Sequence, residues 1–242
     1  MPYPLAHPAA VLPLRRFCPR YLSFPALIVG SLSPDAGYLF AHARLGTFSH
    51  RLLAGGFGFC LPMGLLILWV LFLVRSPLVR ILPSRYQPAF WPLCLRPVGS
   101  PFVIVVSLLI GAWTHIFLDS ITHGNGWLVE HLPVLHSTVS LLGKHEFRVY
   151  EVLYAACTFA GVVWLALAYL HWLETAVRAP GPVRPDVKWP CSLLLAVATL
   201  FIATVSRGMH RSIEVYPAGI ITLLMVIGFF LVTGRLFSKT RR

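Results

Sequence analysis

Three side chains of the metal-ligating kind recur four residues apart in Trp113-Thr114-His115-Ile116-Phe117-Leu118-Asp119-Ser120-Ile121-Thr122-His123-Gly124. On a continuous helix His115, Asp119 and His123 stack along one face, drifting about 40° per step. A His and an Asp one turn apart chelate one divalent ion or bridge two, and the plain alternative is a buried His–Asp hydrogen-bond pair. Gly124, Asn125 and Gly126 end the helix just beyond. A second cluster opens at Ser33-Pro34-Asp35. His42 lies seven residues on, two helical turns away unless Gly37 breaks the helix, and His50 stands just ahead of the next apolar run. A divalent ion takes three or more ligands from more than one element, and the two clusters together supply them. Ser120 and Thr122 are candidates to support the ligands from behind. Carboxylates and imidazoles without cysteine form a hard set that leaves an ion Lewis acidic.

The chain has ten histidines. His42, His50, His115, His123, His131, His136, His145 and His210 fall on or near one face of the expected bundle, together with Asp35 and Asp119, although any one of them could simply suit an interfacial loop. No His-Glu-x-x-His, Gly-x-Ser-x-Gly, Walker or dinucleotide fingerprint is present, which removes the usual soluble hydrolase, NTPase and dehydrogenase readings. The five cysteines form no CxxC pair and read as small packing residues.

The elements that must position these groups are apolar. Of 242 residues, 57% are hydrophobic and 12% charged, about half the charged share of a soluble domain. The mean hydropathy is +0.75. An ordinary soluble enzyme, a disordered chain and a disulfide scaffold are excluded, leaving an all-α polytopic transmembrane bundle. Five full spans are expected, at residues 53–74, 98–118, 152–173, 190–206 and 215–234. At the N-terminus either residues 21–41 make a sixth crossing or residues 8–34 form a shallow helical hairpin. The expected organisation is one helical domain over residues 1–242, with a motif region at 1–52 and a polar loop at 119–151 that covers a site or projects into solvent. No cleavable signal is expected. The formal charge of +12 needs no nucleic acid, because arginines at loops orient spans and meet anionic lipid. With five crossings, eleven Lys and Arg gather on one face and six on the other, which puts the first face and the C-terminus in the cytoplasm.

Leu5-Ala6-His7-Pro8-Ala9-Ala10, then Gly30-Ser31-Leu32-Ser33-Pro34-Asp35, then Ser49-His50, then THxxxDxxTHG from Thr114 to Gly124 together resemble a bacterial integral membrane family of unknown function. That family is allied to the membrane-bound metal-dependent hydrolases and is remotely similar to zinc-dependent phospholipase C. The likeness covers about residues 4–126. It implies metal binding at His7, Asp35, His50, His115, Asp119 and His123, with zinc as the metal, in a bacterial cytoplasmic membrane. His7 has a role only through this resemblance, and if it joins Asp35 the hairpin is favoured over a sixth crossing. Arg51 stands where the family pattern expects Ser.

The expected function is a membrane-embedded hydrolase with about one to three zinc or similar ions, attacking a lipid ester or phosphoester. Arg44, Arg51 or Arg148 could neutralise a phosphate. A transporter or metal-ion carrier using the same ligands transiently is the alternative, as is a non-catalytic membrane protein whose His–Asp pairs only satisfy buried polarity.

Overall fold

The computed structural model describes residues 4–39, 43–82, 84, 86–141 and 145–177. His42, His210 and the fourth and fifth expected spans lie outside the described residues. The described residues are mostly helical. A 3-10 helix at Pro4–Phe17 is followed by α1 (Phe24–Leu32), α2 (Ala36–Leu39) and α3 (Ala43–Ser49), and a π-helical turn at Gly56–Cys60 leads into α4 (Leu61–Ile81). Then come α5 (Gln87–Leu95), α6 (Pro101–Thr122), α7 (Trp127–His131), α8 (Pro133–His136), β1 (Thr138–Leu141), β2 (His145–Arg148) and α9 (Val149–Val177).

Among the described residues three helices are long and apolar enough to cross a membrane: Gly56–Ile81, Pro101–Thr122 and Val149–Ala176. They fall on the first three expected spans, whereas five full spans are not supported. At 22 residues α6 is about 33 Å long, matching a hydrocarbon core of about 30 Å. It begins where Ser100 is extended and Pro101 takes the first turn, a position where a missing N–H costs nothing.

Two compact units divide the chain: residues 1–76 with 92–172, and residues 77–91 with 173–242. In the second unit the Gln87 amide donates to the Leu82 carbonyl at 2.9 Å, satisfying backbone that the end of α4 leaves open. The first unit holds the core of Ala26, Val29, Leu68, Ile104 and Leu108. Cys94 is buried there.

The tightest packing is α1 on α6. The Ser23 amide donates to Ser107 Oγ at 2.8 Å, and eight residues further along each helix Ser31 meets His115, so the two run parallel. They cross at Gly30 and Gly111. A Cβ on Gly30 would collide with the Leu108 carbonyl, and one on Gly111 with the Leu27 carbonyl and, at 2.8 Å, the Ser31 nitrogen. Hydrogen at these positions is what lets the backbones touch.

The N-terminal 3-10 helix also packs on α1 and α6. With nine residues, α1 is about 14 Å long, too short to cross. Residues 4–39 therefore form a helical hairpin whose turn, with Arg15, Arg16 and Arg20, lies toward the start of α6, and whose ends return to its C-terminus.

The polar region was expected to be a loop, yet Thr138–Leu141 and His145–Arg148 pair as an antiparallel hairpin, with Val139 opposite Phe147 and Ser140 opposite Glu146. Outside this hairpin the described elements are all helical. The alternation of β-branched or aromatic with polar residues is the strand signal.

Candidate metal centre

Four elements deliver the site. His7 comes from the 3-10 helix, Asp35 from the turn after α1, His50 from the turn after α3, and His115 and Asp119 from the last two turns of α6. Ser49 Oγ donates to the Pro34 carbonyl at 2.8 Å, tying the His50 turn to the Asp35 turn. Trp113 Nε1 donates to the Leu52 carbonyl at 2.9 Å and holds that turn to α6.

His50 Nε2 and His115 Nε2 lie 3.1 and 3.2 Å from the same oxygen, Asp119 Oδ2. His7 Nε2 lies 3.6 Å from Asp119 Oδ1, and the fully buried rings of His7 and His115 stack at 3.6 Å. Asp35 Oδ1 is 3.6 Å from His115 Nε2 and 3.9 Å from His50 Nε2. Two ligand groups result, His7 with Asp35 and His115, and His50 with His115 and Asp119, each with its ligand atoms within 4.8 Å of one another. Both Asp35 oxygens and the Nε2 atoms of His50 and His115 are buried without a hydrogen-bond partner, so the short His–carboxylate approaches are out of line for hydrogen bonds. Buried polar atoms in that state call for an ion or water. The residues fit a divalent cation.

What turns those nitrogens inward is the other side of each ring. His115 Nδ1 donates to the Ser31 carbonyl at 2.7 Å, His50 Nδ1 to the Gly46 carbonyl at 2.8 Å, and His123 Nδ1 to the Asp119 carbonyl at 3.1 Å. A carbonyl only accepts, so Nδ1 carries the proton and Nε2 of the neutral ring keeps its lone pair. Ser31, Gly46 and Asp119 are each among the last four residues of their helices, α1, α3 and α6, where carbonyls run out of partners inside the helix; the Asp119 carbonyl also accepts the His123 amide at 3.1 Å. The C-terminal ends of three helices thus converge here, and their partial negative charge favours a cation.

Electrostatics outside the spans agree. Burial pushes the Asp35 carboxyl above its ordinary value; His115 opposes this and Asp119 adds to it. Burial works to lower His50, but the Asp119 carboxylate and the Gly46 carbonyl outweigh it and leave the ring raised. His123 is lowered by burial more than Asp119 restores. Burial, then Asp119 and Asp35, raises the Tyr38 phenol. Two buried carboxylates near one another are costly without a positive partner.

Of the expected residues, His7, Asp35, His50, His115 and Asp119 come together. The sequence carried α6 through His123, but the helix stops at Thr122 and His123 is extended, at φ −116° and ψ 139°. His123 Nδ1 sits 3.6 Å from Asp119 Oδ1, and His123 belongs to neither ligand group. Thr122 is buried and its hydroxyl lies 3.3 Å from His123 Nδ1. Ser120 instead donates to the Phe117 carbonyl of its own helix. Arg51 and Arg148 are exposed, and the side chains of His42 and Arg44 lie outside the described residues.

Sequence reasoning missed Tyr38, half exposed with its ring 5.2 Å from that of His50, and the glycine crossing. Glycines in otherwise apolar helices were the available signal for the crossing; Tyr38 had none.

A mostly helical chain with three apolar helices of membrane-crossing length and a buried His/Asp cluster able to hold a metal ion is the class that fold and site define. The chain matches the family described as a domain of unknown function, DUF4184, over residues 1–238, and belongs to it. No curated protein and no solved structure matches it.

Proposed function

We propose that the cluster is the divalent-metal centre, with zinc the first candidate, of a membrane-embedded hydrolase acting on a lipid or phosphoester substrate. The observation that carries this reading is the fixing of His50 and His115 by C-terminal carbonyls of two helices, with both Nε2 atoms presented to one buried carboxylate. An ion held here supplies Lewis acidity and lets a water deprotonate near neutral pH. His7, Asp35, His50, His115 and Asp119 bind and exclude bulk solvent. Tyr38, its phenol kept protonated, stands at the half-exposed edge as a hydrogen-bond donor for a substrate oxygen. Arg51 offers a charge for a phosphate.

The site lies at the end of α6 and not midway along it, which suits a substrate arriving at the interface better than a conduction path. The Arg15–Arg20 turn, Arg75 and Arg96 lie toward the other end of α6. By the positive-inside tendency that end is cytoplasmic and the site faces away from the cytoplasm, in this reading of a bacterial cytoplasmic membrane.

The test is metal analysis and turnover on the purified protein in lipid. Wild type should keep a divalent metal that His115→Ala loses. It should hydrolyse an ester or phosphoester in a chelator-sensitive reaction that Zn²⁺ or Mn²⁺ restores. A metal-loaded protein inert across esters, phosphoesters and amides would overturn the hydrolase reading, and a protein that never binds metal would overturn the centre itself.

A further inference from the structure

The turn of the N-terminal hairpin carries charge to the end of α6 opposite the His/Asp cluster. From His7 to Phe17 the 3-10 helix covers about 20 Å at a rise of about 2.0 Å per residue. His115, on which His7 stacks, stands about 21 Å along α6 from Pro101. The turn itself is closed by backbone bonds. The Phe17 carbonyl accepts the Tyr21 amide at 2.9 Å and the Leu22 amide at 3.4 Å, and the Arg15 carbonyl accepts the Cys18 amide at 3.0 Å. Three exposed arginines crowd it, each laid over a ring. Arg15 Cζ is 5.7 Å from the Phe24 centroid, Arg16 Cζ 4.8 Å from that of Phe17, and Arg20 Cζ 5.0 Å from that of Tyr21. Ring faces offset only part of the repulsion among three like charges. No nearby carboxylate offsets the rest: residues 1–118 contain one acid, Asp35, at the far end of the hairpin. Among the described residues every ion pair joins a histidine to Asp35 or Asp119.

Phe17 and Tyr21 are themselves exposed, so the patch combines apolar rings with cationic rims beside a helix of membrane-crossing length. That combination suits the boundary between acyl chains and head groups. A guanidinium over a ring still has N–H donors at its edge for phosphate oxygens. We infer that the Arg15–Arg20 turn binds the head group of an anionic phospholipid, in the leaflet opposite the metal cluster, with its acyl chains against Phe17 and Tyr21. This rests on the membrane-embedded reading above and is independent of any metal or hydrolytic chemistry. An arginine near an anionic surface contributes about fivefold to binding, so neutralising all three weakens the lipid by up to about a hundredfold.

The experiment places the full chain in phosphatidylcholine nanodiscs doped with a photoactivatable lipid whose diazirine sits near the glycerol. The probe bears either a phosphatidylglycerol or a phosphatidylcholine head, and peptide mapping after illumination reads where each attaches. The phosphatidylglycerol probe should label residues 14–24 at least about tenfold above the phosphatidylcholine probe, while both label the middle of α4 alike. Arg15→Gln/Arg16→Gln/Arg20→Gln should abolish that difference. Arg75→Gln/Arg96→Gln should keep it, because Arg75 is already held over the Phe72 ring and by the Arg96 carbonyl. Equal labelling of the turn by both probes in wild type would overturn the lipid site and leave the membrane reading standing; no labelling of α4 by either would overturn both. Loss of the difference in both variants would reduce the effect to diffuse charge and overturn the site. The wild-type comparison is decisive by itself if the triple variant fails to fold.

Discussion

The N-terminal hairpin and the Trp127–Arg148 excursion both carry histidines to the end of α6, and they treat them differently. In the excursion His131 Nδ1 donates to the Trp127 carbonyl at 2.7 Å, the same bond that His50 makes to Gly46, four residues back on a helix. Yet His131 is exposed, stacked on the equally exposed Trp127. His136 is exposed too, with Arg148 3.5 Å away and the Tyr150 ring beside it. The hairpin places His7 in complete burial against His115, beside Asp119. Orienting one ring nitrogen is common; what singles out a site is the burial of the other nitrogen against carboxylates from a different element. The contrast also separates two uses of backbone, because the excursion satisfies its own bonds by local turns and a two-stranded ladder. The hairpin instead lends the last carbonyls of α1 to a residue of α6.

The largest expected effect comes from breaking that loan without touching a ligand. Gly111→Ala puts a methyl group into the Leu27 carbonyl and the Ser31 amide, so α1 must move off α6. Overpacking of this kind costs about 1–3 kcal/mol, read as a shifted midpoint in denaturation by sodium dodecyl sulphate. Because Ser31 orients His115, the metal content of the folded fraction should fall as well. Loss of stability with full metal retention would mean that the crossing supports the fold alone.

How much of this was legible in the residues depends on whether the signal is local. His115 and Asp119, one turn apart on an uncharged helix, declared themselves, and the first three apolar runs were long enough to read as spans. His7 did not: in sequence it is a residue among prolines near the N-terminus, and only the family likeness gave it a role. Its place depends on a return of the chain that α1, being short, enforces. At His123 the helix ends one residue sooner than the spacing suggested. The regular spacing of four predicted a common face, but α6 stops at Thr122, and the extended backbone of His123 turns Nδ1 back onto the Asp119 carbonyl. The strand pair was read as loop because alternation over four residues is weak beside long apolar runs. The Gly30–Gly111 crossing joins residues far apart in the chain, and no local pattern gives such a pairing.

A smaller effect sharpens the boundary of the centre. His123→Ala removes a ring that touches Asp119 from outside both ligand groups and is joined to Thr122. Loss of such an outer partner typically costs about 10- to 100-fold in metal affinity. Competition against a chelator of known affinity should show that weakening with no change in ions bound at saturation. A drop in stoichiometry would make His123 a ligand, as the sequence first suggested.

The smallest expected effect tests the comparison from its other side. His131→Ala and His136→Ala remove imidazoles whose contacts are local and exposed, so neither strips a charge partner from the cluster nor opens a buried void. Exposed substitutions of this kind stay within about 0.5 kcal/mol, and the double variant should keep wild-type metal content, affinity and denaturation midpoint. The prediction is sharp because His131 shares with His50 the bond that orients Nδ1. If that bond alone made a ligand, the double variant would lose metal as His50→Ala does. Unchanged metal would locate the difference in what surrounds Nε2: at His50 the Asp35 and Asp119 carboxylates within 4 Å, at His131 the open surface. Any loss of metal would bring the excursion into the centre and end the distinction between the two regions.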